Sequence, residues 1–541
     1  KNLKVLETIT ETIILCGRQN LPMQGHRDDK YTKDSSLNTG NFQALLEYRA
    51  SRGGDDILRE HLKNAPRNVT YVSKTVQNEI LDIIGSMIQQ HIITECKSAD
   101  GWLSVSADET RDVNKEQLSV TIWYSAKDDS IKENFVGFLD VSEDTTDQHL
   151  SAEILHLLQC LDLDLNRMKS QCYDGAGSMS GMVKGVAARI QEKYPKALPL
   201  WCTSHQLNRC VVQAYEITTV RNMMDAADEV FSPQKQQKLS ENIDLFVKSE
   251  SKHAKLKRLC TTRWVQRHDA FEVFIDFLPA IVETLDHFSK LPNTWHSKSI
   301  LTVFKFIVCL IVVQRCLAYL KGLTVCLQER ALDISRAFAQ VSVVKKALEE
   351  NRSNVGVHTG CFQEACSIAE KLEYLSRSQE HTRRDNMPAD TPQEYFRKAI
   401  TIPFLGHLLA EMGSQFMTLQ ERAAARIKLV PSVMNTRPCP SDFEFFTDDL
   451  PSSNTFASEL HQWFRMWKDK KTKPSTVSQA LEQCDGIFFP NIKCVLQVCA
   501  TFPVTSCECE CSISALRLLK SYLRSTMGQE RVTALAPLYI H

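Results

Sequence analysis

The sequence predicts an α+β fold that is mostly α, with one small sheet set between a helical N-terminal region and a long helical body. Three observations carry the prediction. From Lys1 to about Ala99, apolar residues recur at three- and four-residue spacing, the period of a helix with one buried face. At Trp102 the pattern changes to short β-rich runs separated by polar turns. From about Gln206 onward no run reads as a strand, and amphipathic segments follow one another. No internal repeat is visible, so the helical body is not a solenoid.

Taken in order, "NFQALLEYRA" and "VQNEILDIIGSMIQQHII" are the N-terminal helices, and "LPMQGHRDDKYTKDSSLNTG" is a polar loop before them. "WLSVSADET", "QLSVTIWYSA" and "NFVGFLDVS" form a three-strand meander. The helix "LSAEILHLLQCL" leads to a fourth strand, "RMKSQCYD". A second helix, "GMVKGVAARIQEKY", leads to a fifth, "ALPLWCTSH". The order is β-β-β-α-β-α-β. Beyond it, "VVQAYEITTVRNMMDAADEVF", "FEVFIDFLPAIVETLDHF", "ALDISRAFAQVSVVKKALEE" and "CFQEACSIAEKLEYLS" are helices, with loops at "SQEHTRRDNMPADTPQE" and "TRPCPSDFEFFTDDLPSS".

Composition narrows the class. A chain of 541 residues exceeds one ordinary core, and 43% hydrophobic with 24% charged residues is the balance of an ordered globular protein. Lys+Arg 64 against Asp+Glu 65 excludes a bulk electrostatic case for nucleic acid, so any such case rests on local patches. Nineteen cysteines without paired spacing suit reduced thiols of the cytosol or nucleus rather than a disulfide framework. The most apolar run, "FIVCLIVV", lies between Lys305 and Arg315 and is too short to span a bilayer; it reads as a buried helix, and no membrane partner is expected. A first residue of Lys1 reads as a trimmed chain that lacks an N-terminal module.

The acids at the strand ends carry the chemistry. Asp174, in "QCYDGAGSMSG", ends the fourth strand beside three glycines; alone it would be a turn former or helix N-cap. Asp108 ends the first strand, and a sheet that sets these strands side by side brings the two together. Adjacent carboxylates repel unless a cation lies between them, which argues for a divalent metal. Oxygen ligands select Mg²⁺ or Mn²⁺, and two ions roughly 4 Å apart serve phosphoryl transfer.

In order along the chain, "SVSADET", "CYDGAGSMSG", "WCTSHQLN", "CTTRWVQR" and "PVTSCECECSISALRLLKSYLRSTMGQERVTALAPLYIH" resemble the hAT transposase superfamily. Within it, they are most similar to transposase-derived proteins related to the zinc finger MYM-type and THAP-domain repressor-of-kinase-inhibitor proteins. The likeness runs from about Gln24 to the C-terminus. It implies a ribonuclease-H-like catalytic core interrupted by a large all-helical insertion. The implied regions are a helical N-terminal region at 1–99, the first part of the core at 100–215, the insertion at 216–478, and a core-completing dimerisation segment at 479–541.

The resemblance also implies the site. Glu510 becomes the third acid, so that Asp108, Asp174 and Glu510 hold Mg²⁺ or Mn²⁺, and His205 of the "CTSH" run stands near the scissile phosphate. Arg263 and Trp264 match an Arg-Trp pair that stacks on a flipped base, worth about 1–3 kcal/mol per stacked base. The basic run around them adds Lys257, Arg258 and Arg267 as DNA contacts, with Lys252 and Lys255 alongside; by composition alone it is a solvated helix face. The sequence departs from the family pattern at Cys511, where the family has Arg, and at Ile513, where it has Phe. Glu508 is an alternative ligand, while the cysteines of "CECEC" alternate and so do not share one helix face. Ile513, Leu516, Leu519 and Leu523 fall at helical spacing and are expected to bury against the core or a second subunit, and "RMWKDKKTK" is a charged surface loop.

The function implied is a metal-dependent hAT-type DNA transposase that cleaves and joins strands at transposon ends. The alternative is a domesticated, catalytically inactive protein that binds DNA or chromatin. Either is nuclear, pairs with DNA and forms at least a dimer. An unrelated nuclease of the same fold ranks last.

Overall fold

The computed structural model describes residues 2–24, 40–66, 69–98, 101–111, 115–175, 179, 181, 185–229, 231, 233–246, 268–289, 304–330, 332–372, 389–424, 426–520 and 527–541. They are mostly helical, with one small mixed sheet. The chain divides into two units. Unit 1 holds Lys1–Cys202 and Lys428–His541, and unit 2 is the continuous stretch Thr203–Ile427 between them.

Unit 1 opens with four helices: α1 (Asn2–Arg18), α2 (Asn41–Ser51), α3 (Asp56–Asn64) and α4 (Lys74–Ser98). Val5, Ile9, Ile13 and Cys16 form the buried stripe of α1, at the spacing of one helix face. Asp55 caps α3, accepting from Leu58 N at 2.9 Å and from Thr8 Oγ1 at 2.9 Å, which ties the cap to α1.

The sheet follows: β1 (Leu103–Arg111), β2 (Glu116–Ser125), β3 (Ile131–Asp140), β4 (Met168–Tyr173) and β5 (Leu198–Trp201), in spatial order β3-β2-β1-β4-β5. β1 pairs antiparallel with β2 and parallel with β4, and β4 pairs parallel with β5. Helices α5 (Asp147–Cys160) and α6 (Val186–Lys193) make the two crossovers. Strict alternation gives the sheet two unlike faces. Leu103, Val105, Ala107, Leu118, Val120 and Ile122 pack with Leu150, Ile154 and Leu158 of α5 and Val186 and Ile190 of α6. The opposite face carries Ser104, Ser106 and Asp108 of β1, cross-strand from Trp123, Thr121 and Ser119 of β2, all buried. A buried polar face needs hydrogen-bonding cover rather than aliphatic cover.

Unit 2 is helical among its described residues: α7 (Thr203–Ala214), α8 (Thr218–Glu229), α9 (Pro233–Phe246), α10 (His268–Asp276), α11 (Leu278–Ser289), α12 (Phe304–Leu327), α13 (Ile334–Ser353), α14 (Val355–Lys371), α15 (Pro392–Phe396), a π-helical turn at Arg397–Thr401, and α16 (Ile402–Ala424). The run "FIVCLIVV" extends into the whole of α12, which is long and apolar enough to cross a membrane, unlike the short segment expected from sequence. Its apolarity is used inside unit 2: 67% of its most apolar stretch is buried, and Phe304 meets Phe362 and Phe396 edge-on, each at 5.4 Å. A helix apolar on every side is what the centre of a helical unit requires.

The chain then returns to unit 1 through a 3-10 stretch at Pro440–Asp449, α17 (Ser453–Lys468), α18 (Val477–Glu482), α19 (Pro490–Ala500), α20 (Cys507–Leu519) and α21 (Gln529–Ile540). The sequence reading ran the insertion from 216 to 478, whereas the division by contacts falls at 202/203 and 427/428. Physical ties account for both ends. Tyr215 packs on Phe404 within unit 2. Asp449 reaches back to Lys169 of β4, and buried Glu459 of α17 accepts from the backbone N of Asn491 at 2.9 Å and of Ile492 at 3.3 Å in α19.

Helix α20 supplies the cover for the polar sheet face. Ser512 Oγ lies 2.6 Å from Ser119 Oγ, and Cys509 Sγ reaches Thr121 Oγ1 at 3.4 Å and the Ser119 carbonyl at 3.8 Å. Ile513, Leu516 and Leu519 are buried within the chain; Leu516 and Leu519 join Phe135, Phe138 and Val532, Leu535 and Leu538 of α21 in one cluster. Leu523 lies outside the described residues. Helix α21 also crosses α4 closely at Gly85, where a Cβ would stand 2.9 Å from the Ala534 carbonyl oxygen.

A candidate carboxylate site at the ends of β1 and β4

The β1–β4 ladder pairs Ser104 with Ser170, Val105 with Gln171 and Ser106 with Cys172. Continued at the same register, it sets Asp108 level with Asp174. The β4–β5 ladder pairs Tyr173 with Trp201, so the next position sets Asp174 level with Cys202, whose backbone N donates to the Tyr173 carbonyl at 2.9 Å. Asp108, Asp174 and Cys202 therefore share one edge of the sheet. They are there because parallel strands deliver their carboxyl ends to the same side.

Glu510 enters from α20. Its carboxylate oxygen and the Cys202 Sγ lie within 4.8 Å of each other, and Ser506 N donates to that sulfur at 3.4 Å, pinning the start of the helix to the same edge. The strand register thus sets Asp108 level with Asp174, and the sulfur contact sets Glu510 beside Cys202, the next strand position over. His205 stands half-buried on the opening turn of α7, in unit 2. Lys252, Lys255, Lys257, Arg258, Arg263, Trp264 and Arg267 lie outside the described residues.

Two acids near the edge escaped the sequence reading. Glu109 follows Asp108, so alternation turns it to the other face, where the residue is exposed; its carboxyl is nevertheless pushed up to about 7, by partial loss of hydration and then by the charges of Asp174 and Asp108. The only local signal was its place in "SADET". Glu133 of β3, buried, accepts from the backbone N of Glu508 at 3.2 Å and so places a carboxylate at the N-terminus of α20, where the helix dipole favours one. Glu508, itself buried, is drawn toward β3.

The "CECEC" run splits as helical geometry requires. Cys509 faces β2, while Cys507 and Cys511, four apart, share a face. The Cys507 thiol is held far above its ordinary value by a hydrogen bond to Cys511 and by burial, which disfavours a Cys507 thiolate. Cys511 is exposed, next to Glu510. In "RMWKDKKTK", Lys470 Nζ sits 4.1 Å above the ring of buried Trp467, which fixes one of these lysines against α17.

The raised Glu109 gives a pH signature. A carboxyl whose folded-state value is about 7, against an ordinary 4.5, contributes stability that is fully present below pH 4.5 and is lost as pH rises toward 7. Urea unfolding of the wild type and Glu109→Gln across that window is expected to show the wild type losing ground to the variant as pH rises. A pH-independent difference would show that Glu109 does not feel the two aspartates.

Residues 1–185 match a family described as ZMYM1/FAM200, RNase-like domain. Residues 459–541 match the hAT family C-terminal dimerisation region. Over its whole length the chain is 30% identical to the "52 kDa repressor of the inhibitor of the protein kinase" of Homo sapiens and to the protein of the same name in Mus musculus, and it spans 74% and 75% of them.

Proposed function

Because the chain belongs to the hAT superfamily of transposases and transposase-derived proteins, we propose that it works as a domesticated DNA- or chromatin-binding protein of the nucleus. In this reading it keeps a ribonuclease-H-like core, with unit 2 as its helical insertion, and a dimerisation region. The observation that carries it is Cys511. A cysteine, hydrogen-bonded to Cys507, occupies the position beside Glu510 where transposases of the superfamily carry an arginine. Without that cation, a phosphate approaching three or four carboxylates meets uncompensated negative charge. Full-length kinship to proteins named as repressors points the same way.

DNA contact is assigned to the basic run of Lys257, Arg258, Arg263 and Arg267, with Trp264 as a stacking platform. Asp108, Asp174 and Glu510 are hard oxygen donors and fit Mg²⁺ or Mn²⁺; the Cys202 sulfur beside Glu510 is the one soft group among them. When bound, such ions supply Lewis-acid activation of water and stabilise a leaving oxygen. Asp108 and Asp174, level on adjoining strands, favour a second reading in which the chain is an active transposase, with His205 steadying the developing charge.

The two readings separate in one experiment, gel retardation and strand cleavage on the same DNA duplexes with Mg²⁺ or Mn²⁺. Salt-sensitive retention that weakens in Trp264→Ala, without cleavage, is the expected result. Cleavage by the wild type establishes the transposase instead, and absence of retention at low salt overturns both.

A further inference from the structure

Helix α5 carries two metal-ligating side chains one turn apart on its outer face. His156 and Cys160 are four residues apart and both exposed, and Cys160 Sγ lies 3.5 Å from His156 Nε2 and 4.0 Å from Nδ1. Neither belongs to the carboxylate edge. Leu150, Ile154 and Leu158 pack α5 on the aliphatic face of the sheet, whereas α20 covers the opposite, polar face.

The helix holds the pair in place even though Cys160 is its last residue. Asp162 takes the left-handed conformation, with φ 56°; its backbone N donates to the Gln159 carbonyl at 2.8 Å, and Leu163 N donates to the Leu158 carbonyl at 3.2 Å. These two bonds close the final turn as a Schellman motif, so the turn does not fray. At the other end Thr146 caps the helix, accepting from His149 N at 3.4 Å. Ligands already fixed by their backbone lose little freedom on binding.

The separation suits one shared ion. Zinc bonds nitrogen at about 2.0–2.1 Å and sulfur at about 2.3 Å, which at a tetrahedral angle sets the two donors about 3.6 Å apart. The observed 3.5 Å matches that edge without any change in the helix. Two ligands at i and i+4 on one helix face also hold zinc in the H-E-x-x-H helix of metalloproteases. Mixed nitrogen and sulfur donors select zinc, where the oxygen donors at the carboxylate edge select Mg²⁺ or Mn²⁺. The position favours a bound cation over a reactive thiolate, because the last turn of a helix carries partial negative charge. Glu153, three residues before His156 and seven before Cys160, shares their face and is the further oxygen donor there.

We infer that His156, Cys160 and Glu153 form a zinc site on the outer face of α5, with water as the fourth ligand. On binding, the ion replaces the proton of the Cys160 thiol, and that proton passes to solvent. The site stands apart from the DNA-binding reading and does not depend on it.

The test is competition for Zn²⁺ against a chromophoric chelator, using the reduced, tag-free chain as wild type, His156→Ala, Cys160→Ser and Glu153→Gln. Each of the first two is expected to lose one tightly bound equivalent, its affinity falling by about 100-fold or more, beyond the cost of removing a residue that only supports a ligand. Asp174→Asn is expected to keep that equivalent. Co²⁺ reads the sulfur directly: the wild type is expected to show a thiolate-to-cobalt charge-transfer band that Cys160→Ser lacks. Zn²⁺ is expected to raise the thermal unfolding temperature of the wild type more than that of either variant, with the metal-free proteins alike, since both side chains are exposed. Equal zinc affinity and stoichiometry in wild type, His156→Ala and Cys160→Ser overturns the site, as does a cobalt spectrum that Cys160→Ser leaves unchanged. Unchanged affinity in Glu153→Gln alone overturns the third ligand.

Discussion

Lys169→Met is expected to destabilise unit 1 toward the lower end of about 3–5 kcal/mol, the range for removing one partner of a buried ion pair. Lys169 is fully buried, and its Nζ pairs with Asp449 Oδ2 at 2.8 Å. It also sits 4.4 Å above the Trp102 ring, which Arg167 approaches at 5.0 Å. Burial pulls the Lys169 ammonium below its ordinary value, and the Asp449 carboxylate works against that pull. The pair is therefore a compromise that holds only while both members are present. Methionine preserves much of the stem volume but leaves Asp449 with Lys196 alone, at 3.2 Å, and Lys196 is partly exposed. That surviving partner is why the lower end applies. Equilibrium urea unfolding measures the loss. The companion Lys169→Met/Asp449→Leu is expected to recover part of it, since no buried carboxylate then lacks its cation. Equal stability of wild type and Lys169→Met would mean that the return of residues 428–541 to the sheet does not depend on this pair.

That pair also marks where the sequence stops being legible. The five strands could be read because alternation and β-branched composition are local, and the observed strands β1 to β5 fall on the five runs that carried those signals, except that the fifth stops at Trp201 and Thr203–His205 open α7 instead. The helical body after Gln206 was legible for the same reason. Lys169 and Asp449 stand 280 positions apart, and nothing near either residue announces the other. The assignment of 428–478 to unit 1 was hidden likewise, because an amphipathic helix such as α17 shows which face it buries and not against what. At the site, the strands could be read, so Asp108 and Asp174 could be expected level with each other, although β1 runs on to Arg111 and keeps Asp108 within the strand, opposite Ser119, rather than at its end. The influence of both on Glu109 could not, because it acts across the edge of the sheet rather than along a face. The length of α12 was underestimated because the strongest apolar run is only its first part, and the helix continues through less apolar positions to Leu327.

Asp174→Asn is expected to weaken Mn²⁺ binding by at least about 100-fold, beyond the roughly 10–100-fold typical of residues that only support a ligand. The reason is position. Asp174 follows β4, level with Asp108 on one side and Cys202 on the other, so in the proposed site it is the central oxygen donor. Amidation keeps the shape of the side chain and removes one charge from two carboxylates set level on adjoining strands, which lowers any repulsion between them. Thermal unfolding of metal-free Asp174→Asn is therefore expected to match or slightly exceed the wild type. Glu109 supplies an internal check: after burial, Asp174 is the foremost cause holding its carboxyl at about 7, so its titration is expected to move down in Asp174→Asn. Mn²⁺ added to the wild type is expected to move it the same way, since a cation at the edge favours the charged carboxylate. Calorimetric titration of Mn²⁺ and carbon-detected NMR of Glu109 measure the two effects on the same samples. Unchanged metal affinity in Asp174→Asn would remove the site from this sheet edge. A fall in Glu109 with no metal binding in any form would leave the acids as electrostatic neighbours of a scaffold that binds DNA without cutting it.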